Sequence, residues 1–101
     1  MLREKPEWPR GFALEQNYPN PFNPTTVISS QLPAASHVKL AVYDLLGREV
    51  AVLVNERRAA GRYWDVFSAY GGDGAGLPSG MYICRLTVGS FAQSRSMILI
   101  K

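Results

Sequence analysis

Gln16-Asn17-Tyr18-Pro19-Asn20-Pro21-Phe22-Asn23-Pro24-Thr25-Thr26 divides the chain into two unlike parts. Each proline fixes its own φ and removes a backbone donor. Each also pushes the residue before it, Tyr18, Asn20 or Asn23, out of the helical region. The run is therefore neither a helix nor a central strand. It reads as a stiff, extended or turning segment that carries two aromatic side chains. Everything after it patterns as short strands, and everything before it as a tail.

Downstream of the run, Thr25–Leu32 is β-rich and ends at Pro33, with Ile28, Ser30 and Leu32 on one face. Val38–Asp44 alternates, placing Val38, Leu40 and Val42 together. Leu45-Leu46-Gly47-Arg48 is a tight connection in which Gly47 is expected at positive φ. Glu49–Val54 follows as a strand, and Asn55–Gly61 reads as a polar loop. Arg62–Ser68 is a strand with Tyr63, Asp65 and Phe67 on one side and Arg62, Trp64 and Val66 on the other. Tyr70 to Gly80 holds five glycines in eleven residues and must be loop. Met81–Val88 and Phe91–Lys101 are strands about the Gly89-Ser90 turn. In the last of them Met97-Ile98-Leu99-Ile100 is apolar on both faces, so it should be buried on both or paired within a sheet.

No window keeps a helical period over about ten residues. Six strands, with a seventh near Ala13–Gln16, argue an all-β fold: a seven-stranded antiparallel β-sandwich, immunoglobulin-like in size. A small closed barrel is the alternative. The proline run is expected to cross one end of the sandwich and feed Thr25–Leu32 into a sheet. Phe22 would anchor it, and its asparagines would satisfy nearby backbone groups.

The 101 residues and 47% hydrophobic content fit one domain with one core. Residues 1–13 read as a linker or tail, with Trp8 and Phe12 its only aromatics, and residues 14–101 as the domain. Net charge is +3. The densest basic group, Arg57, Arg58 and Arg62, reads as a solvated loop rather than a nucleic-acid site. No apolar run reaches the about 18 residues of a membrane helix. The N-terminus lacks the apolar stretch of a secretory signal. If the protein is exported, the signal is expected upstream and Met1 to be an artefact of expression.

Little here points to chemistry. A single histidine, His37, and a single cysteine, Cys84, cannot supply a usual zinc site. Cys84 reads as a small buried hydrophobe and His37 as solvent-facing. No pair of acids forms a recognisable acid/base frame. Gly71-Gly72-Asp73-Gly74-Ala75-Gly76 is not followed by a helix, which argues against a phosphate loop, and Asp73 alone is a poor calcium site. No catalytic residue and no cofactor is expected.

Five blocks in order carry a resemblance: Leu14–Thr26, Val42-Tyr43-Asp44-Leu45-Leu46-Gly47-Arg48, Ala60-Gly61-Arg62-Tyr63, Leu77-Pro78-Ser79-Gly80-Met81-Tyr82, and Met97-Ile98-Leu99-Ile100-Lys101. Together they resemble the type A C-terminal sorting domain of the type IX secretion system. The resemblance spans about residues 14–101. It implies a non-catalytic address label fused to a larger upstream cargo, exported through the periplasm and across the outer membrane in Bacteroidetes-type bacteria. It implies as partners the type IX translocon and a sortase-like peptidase that removes the domain and attaches the cargo to the cell surface. Cleavage is expected within residues 1–13. No nucleic acid and no membrane insertion are implied. The recognition motif carried over is Pro19, Asn20, Pro21, Phe22, Asn23 and Pro24, with Gly80, Tyr82, Arg85 and Lys101; Gly61 also matches.

Three departures stand out. Asp65 takes a usually apolar place, so either the strand shifts by one residue, turning Trp64 and Val66 inward, or Asp65 has a partner. Tyr70 to Ala75 lengthens a short loop. Cys84 replaces a common aromatic. A second reading, a carbohydrate-binding accessory module of a secreted glycoside hydrolase, rests on Trp8, Tyr63, Trp64 and Tyr70 as stacking platforms.

Overall fold

The computed structural model describes residues 11–70 and 76–101. Trp8, most of the expected tail, and the loop positions 71–75 with Asp73 lie outside the described residues. Seven strands follow one another: β1 (Ala13–Leu14), β2 (Thr25–Leu32), β3 (Ser36–Tyr43), β4 (Glu49–Arg58), β5 (Gly61–Ser68), β6 (Gly80–Val88) and β7 (Phe91–Leu99). They form a three-stranded sheet in the order β1-β2-β5 and a four-stranded sheet in the order β4-β3-β6-β7. All strand pairs are antiparallel. This is the expected sandwich, not a closed barrel.

The core follows the alternation. Ile28 and Leu32 of β2 face Val38, Leu40 and Val42 of β3, Tyr82, Cys84, Leu86 and Val88 of β6, and Met97 and Leu99 of β7. Leu14, Phe22 and Phe67 close the remaining volume, and each is at most 2% exposed. Each such large apolar side chain contributes about 1.5–3 kcal/mol on burial. Cys84 lies among Tyr82 and Leu86 as read from the sequence. Burial pushes its thiol pKa up to about 12, with a smaller contribution from the Asp65 carboxylate.

Gly47 takes φ 85° at the β3–β4 connection. There the Asp44 carboxylate accepts the backbone N–H groups of Leu46 and Arg48, both at 2.9 Å. Gly89 takes φ 58° between Val88 and Phe91, glycine standing first as in a type II′ hairpin.

Two expectations need correction. The loop placed at Asn55–Gly61 is mostly strand: β4 runs on to Arg58, and His37 and Ser36 pair with Arg57 and Arg58. A strand at a sheet edge keeps its ladder on one side while its polar side chains stay in water, so charge did not end it. Register shifts at Leu40/Ala41 and Val42/Tyr43 add residues to β4. Ala51 and Val54, three apart, are therefore both buried. The final strand also ends at Leu99 and is buried on one face only. Met97 and Leu99 point inward, whereas Ile98 and Ile100 are exposed. Its apolar pattern is met by pairing rather than by burial on both faces.

Asp65 stays on the inner side of β5 with Tyr63 and Phe67, while Trp64 and Val66 are exposed. Of the two possibilities at this strand, the partner is the one realised: Arg58 holds both Asp65 oxygens.

Candidate functional site

The proline run does not simply cross an end of the sandwich. The segment from Phe12 to Phe22 runs beside β7, along the edge that β6 leaves open. The two chains advance in the same direction. Phe12 packs on Phe91, with ring centroids 5.0 Å apart. Leu14 N–H donates to Gln93 Oε1 at 2.9 Å, and Arg95 Nε donates to the Leu14 carbonyl at 2.8 Å. Gln16 Nε2 donates to the Ser96 carbonyl at 2.7 Å. Ile98 N–H donates to Asn20 Oδ1 at 2.9 Å. Phe22 N–H then donates to the Ile98 carbonyl at 2.8 Å, and Ile100 N–H to the Phe22 carbonyl at 3.0 Å.

The physical reason for this mixture is the proline content. Pro19, Pro21 and Pro24 offer no N–H, so an ordinary ladder cannot form. Side-chain amides of Gln16 and Asn20 stand in for missing backbone groups, as the sequence leads one to expect of Asx-rich turns. On its other side the run is tied to β2. Tyr18 and Val27 exchange backbone bonds of 3.0 and 2.9 Å, and Ala69 N–H donates to the Pro24 carbonyl at 2.9 Å. The buried Asn17 amide and Thr26 hydroxyl both donate to the Pro19 carbonyl, at 3.1 and 2.8 Å. All three X–Pro bonds of the run are cis. Phe22 enters the core, where its ring meets Phe67 edge-on at 5.9 Å. Asn23 is exposed.

The Gly80–Tyr82 block lies at the same end. Gly80 pairs with Leu99 and Tyr82 with Met97. The Tyr82 hydroxyl donates to the Pro78 carbonyl at 2.6 Å. Its pKa is raised, first by burial and then by the Asp44 charge. Lys101 N–H donates to Ser79 Oγ at 2.9 Å, and Lys101 Nζ sits 4.8 Å over the Tyr70 ring. Pro19–Pro24, Gly80, Tyr82 and Lys101 are thus brought together. Arg85 is not: it is exposed on the outer face of β6, in a shallow groove with Tyr43, Asp44, Leu45, Gly47 and Ile83. Gln16, Ile98 and Ile100 lie in stretches the sequence singles out, but their joining role, like that of Gln93, does not show in the sequence. Their partners lie about eighty positions away, and no spacing rule signals such side-chain-to-backbone bonds.

The described side chains at this end are mostly amides, aromatics and aliphatics, with the hydroxyls of Thr26 and Ser79, Lys101, and Asp44 close to Tyr82. The cysteine is buried elsewhere as a thiol, and His37 is bound to Asn55 Oδ1 at 2.7 Å at the start of β3. The described aromatics among those proposed for sugar stacking, Tyr63, Trp64 and Tyr70, do not form one platform. Tyr63 is covered by the Arg58 guanidinium, 4.4 Å from its centroid, and its hydroxyl donates to the Ala59 carbonyl. Tyr70 lies under Lys101, and Trp64 stands on the outer face of β5.

The family described as secretion system C-terminal sorting domain matches residues 16–101. Two solved structures are similar. One is dimeric latent PorU from Porphyromonas gingivalis, with 18% identity, a TM-score of 0.69, and coverage of 84% of this chain and 9% of that one. The other is PorZ, described as an essential bacterial surface component of the type IX secretion system of the same organism. It has 18% identity, a TM-score of 0.58, and coverage of 90% of this chain and 12% of that one. The chain thus corresponds to a small part of either structure, and the likeness is one of fold. No curated protein matches.

Proposed function

The chain belongs to the family of type IX secretion C-terminal sorting domains, and from that membership we propose that it is the non-catalytic address of a larger fused cargo, read at the end of the sandwich where the proline run meets the last strand. A sorting role and export to the cell surface or beyond come with the family. The proposal extends to passage through the periplasm, capture by the outer-membrane translocon, and removal by a sortase-like peptidase within residues 1–13.

The observation that carries it is the convergence of Pro19–Pro24, Gly80, Tyr82 and Lys101 on one end. A rigid receptor gains most from side chains that are exposed yet fixed by their neighbours. Tyr18, Met81, Ile98 and Ile100 are exposed large apolar side chains carried on backbone that is itself hydrogen-bonded or paired. Arg85, on the separate outer face, is proposed as an accessory contact only.

In the full-length parent, deletion of Ser96–Lys101 should leave cargo in the periplasm. That deletion also removes Met97 and Leu99 from the core, so a fold-sparing variant is needed. Tyr18→Ser with Ile100→Ser should keep the melting temperature and still lower surface display. Normal display by the second variant, with its fold intact, refutes this surface as the address.

A further inference from the structure

The middle of the proline run is held from one side only. Tyr18, Pro19 and Pro24 have bonds to β2 or to the residue that follows β5. Asn20 and Phe22 do not. Their hydrogen bonds among the described residues go to Ile98 and Ile100 alone. Pro21, between them, has no N–H to offer. The Phe22 ring is fixed by the core against Phe67, but the path of the backbone on either side of that ring is set by the chain's last residues. The dependence runs both ways. Ile98 has β6 on one side, paired through Met81, and its outward N–H and C=O are taken up by Asn20 and Phe22. Ile100 lies beyond the end of β7, and its N–H goes to the Phe22 carbonyl.

We propose that Ile98 and Ile100 are positioning residues for the sorting label, and that their backbone latches Asn20–Phe22 into the displayed form. Two segments about eighty residues apart in the chain then complete one another. A chain without Ile98 and Ile100, or whose β7 has not docked, carries the motif in sequence but not in shape. The label therefore reports a docked β7. The functional half of this inference rests on the reading that the run belongs to the recognised surface; the latch itself does not.

Amide hydrogen exchange on the 101-residue chain tests it. Removal of Ile100 and Lys101 takes away the acceptor bond of the Phe22 carbonyl and leaves Met97 and Leu99 in place. The Phe22 and Ile98 amides should then exchange about tenfold faster or more, while Leu40 and Leu86 in the β3–β6 ladder change by less than about twofold. Asn20→Ala should speed exchange at Ile100, whose own bond it does not touch, which a purely local effect would not do. Unchanged protection at Phe22 in the shortened chain overturns the latch. Equal loss of protection at Leu40 and Leu86 also overturns it, because the C-terminus would then act on the whole fold. Normal export of a cargo whose latch is open by exchange would overturn the recognition reading while leaving the latch standing.

Discussion

Arg58, the last residue of β4, grips Asp65 in the middle of β5 through two parallel bonds of 2.8 and 3.0 Å. The two strands are edges of opposite sheets, so the fork joins the sandwich across its open side. Both side chains are largely withdrawn from water, at 14% and 15% exposure. The bond to Asp65 holds the Arg58 pKa above its ordinary value against the opposing effect of burial. An inward-pointing acid in an edge strand also discourages the pairing of that edge with another chain.

Removing one partner should cost more than removing both. Asp65→Ala leaves Arg58 with only the exposed Glu56 carboxylate at 3.4 Å and should destabilise by about 2–3 kcal/mol. Arg58→Met combined with Asp65→Val should lie within about 1 kcal/mol of the parent, since an apolar pair of similar volume replaces the ions. Urea titrations of the single and the double variant give the comparison. A single variant as stable as the parent would show that the fork contributes nothing.

Phe22→Ala empties the junction between the run and the core. A loss of about 3–5 kcal/mol is expected for a buried phenylalanine, read as a large fall in melting temperature. An unchanged melting point would refute the anchoring role of this ring.

Cys84 should be inert in the folded protein. With its thiol pushed up to about 12, little thiolate exists at pH 8. Iodoacetamide should label it roughly a thousandfold more slowly than in the unfolded chain. The same shift sets a sign for stability. Above about pH 9 the unfolded chain releases a thiol proton that the folded one keeps, so stability falls as pH rises, by up to about 1.4 kcal/mol per unit until the folded thiol ionises. Tyr82, also raised, acts in the same direction. Denaturation of Cys84→Ala and parent between pH 8 and about 11 should show a shallower decline in the variant; parallel curves would contradict the assignment.

Trp64 is large, aromatic and 65% exposed. Trp64→Ala should change stability by no more than about 0.5 kcal/mol, as expected of a surface position. A loss of several kcal/mol would mean that the face is covered in solution.

What the sequence disclosed follows from what is local. Alternation in Ile28, Ser30 and Leu32, and again in Val38, Leu40 and Val42, is a two-residue rhythm visible to any short window. Asp65 posed a sharp choice because a charge on the inner face requires either a slip or a partner. The choice itself was not legible, since Arg58 lay in a stretch that reads as loop. Asn55–Arg58 misled for the same reason: polarity marks exposure, and an edge strand is exposed. The joining of Asn20 and Phe22 to Ile98 and Ile100 was out of reach altogether. It depends on where the two sheets place their edges, which is a property of the assembled fold.

The side-by-side run of Phe12–Phe22 and β7 has a mechanical consequence. Because the two segments advance in the same direction, a pull between the domain's two ends drags them past one another. The bonds at Leu14, Gln16, Asn20 and Phe22 then share the load in shear instead of opening one at a time as a zipper would. A domain threaded or tugged by its upstream cargo would resist at this seam first. The sheets behind it would feel force only after the seam has slipped.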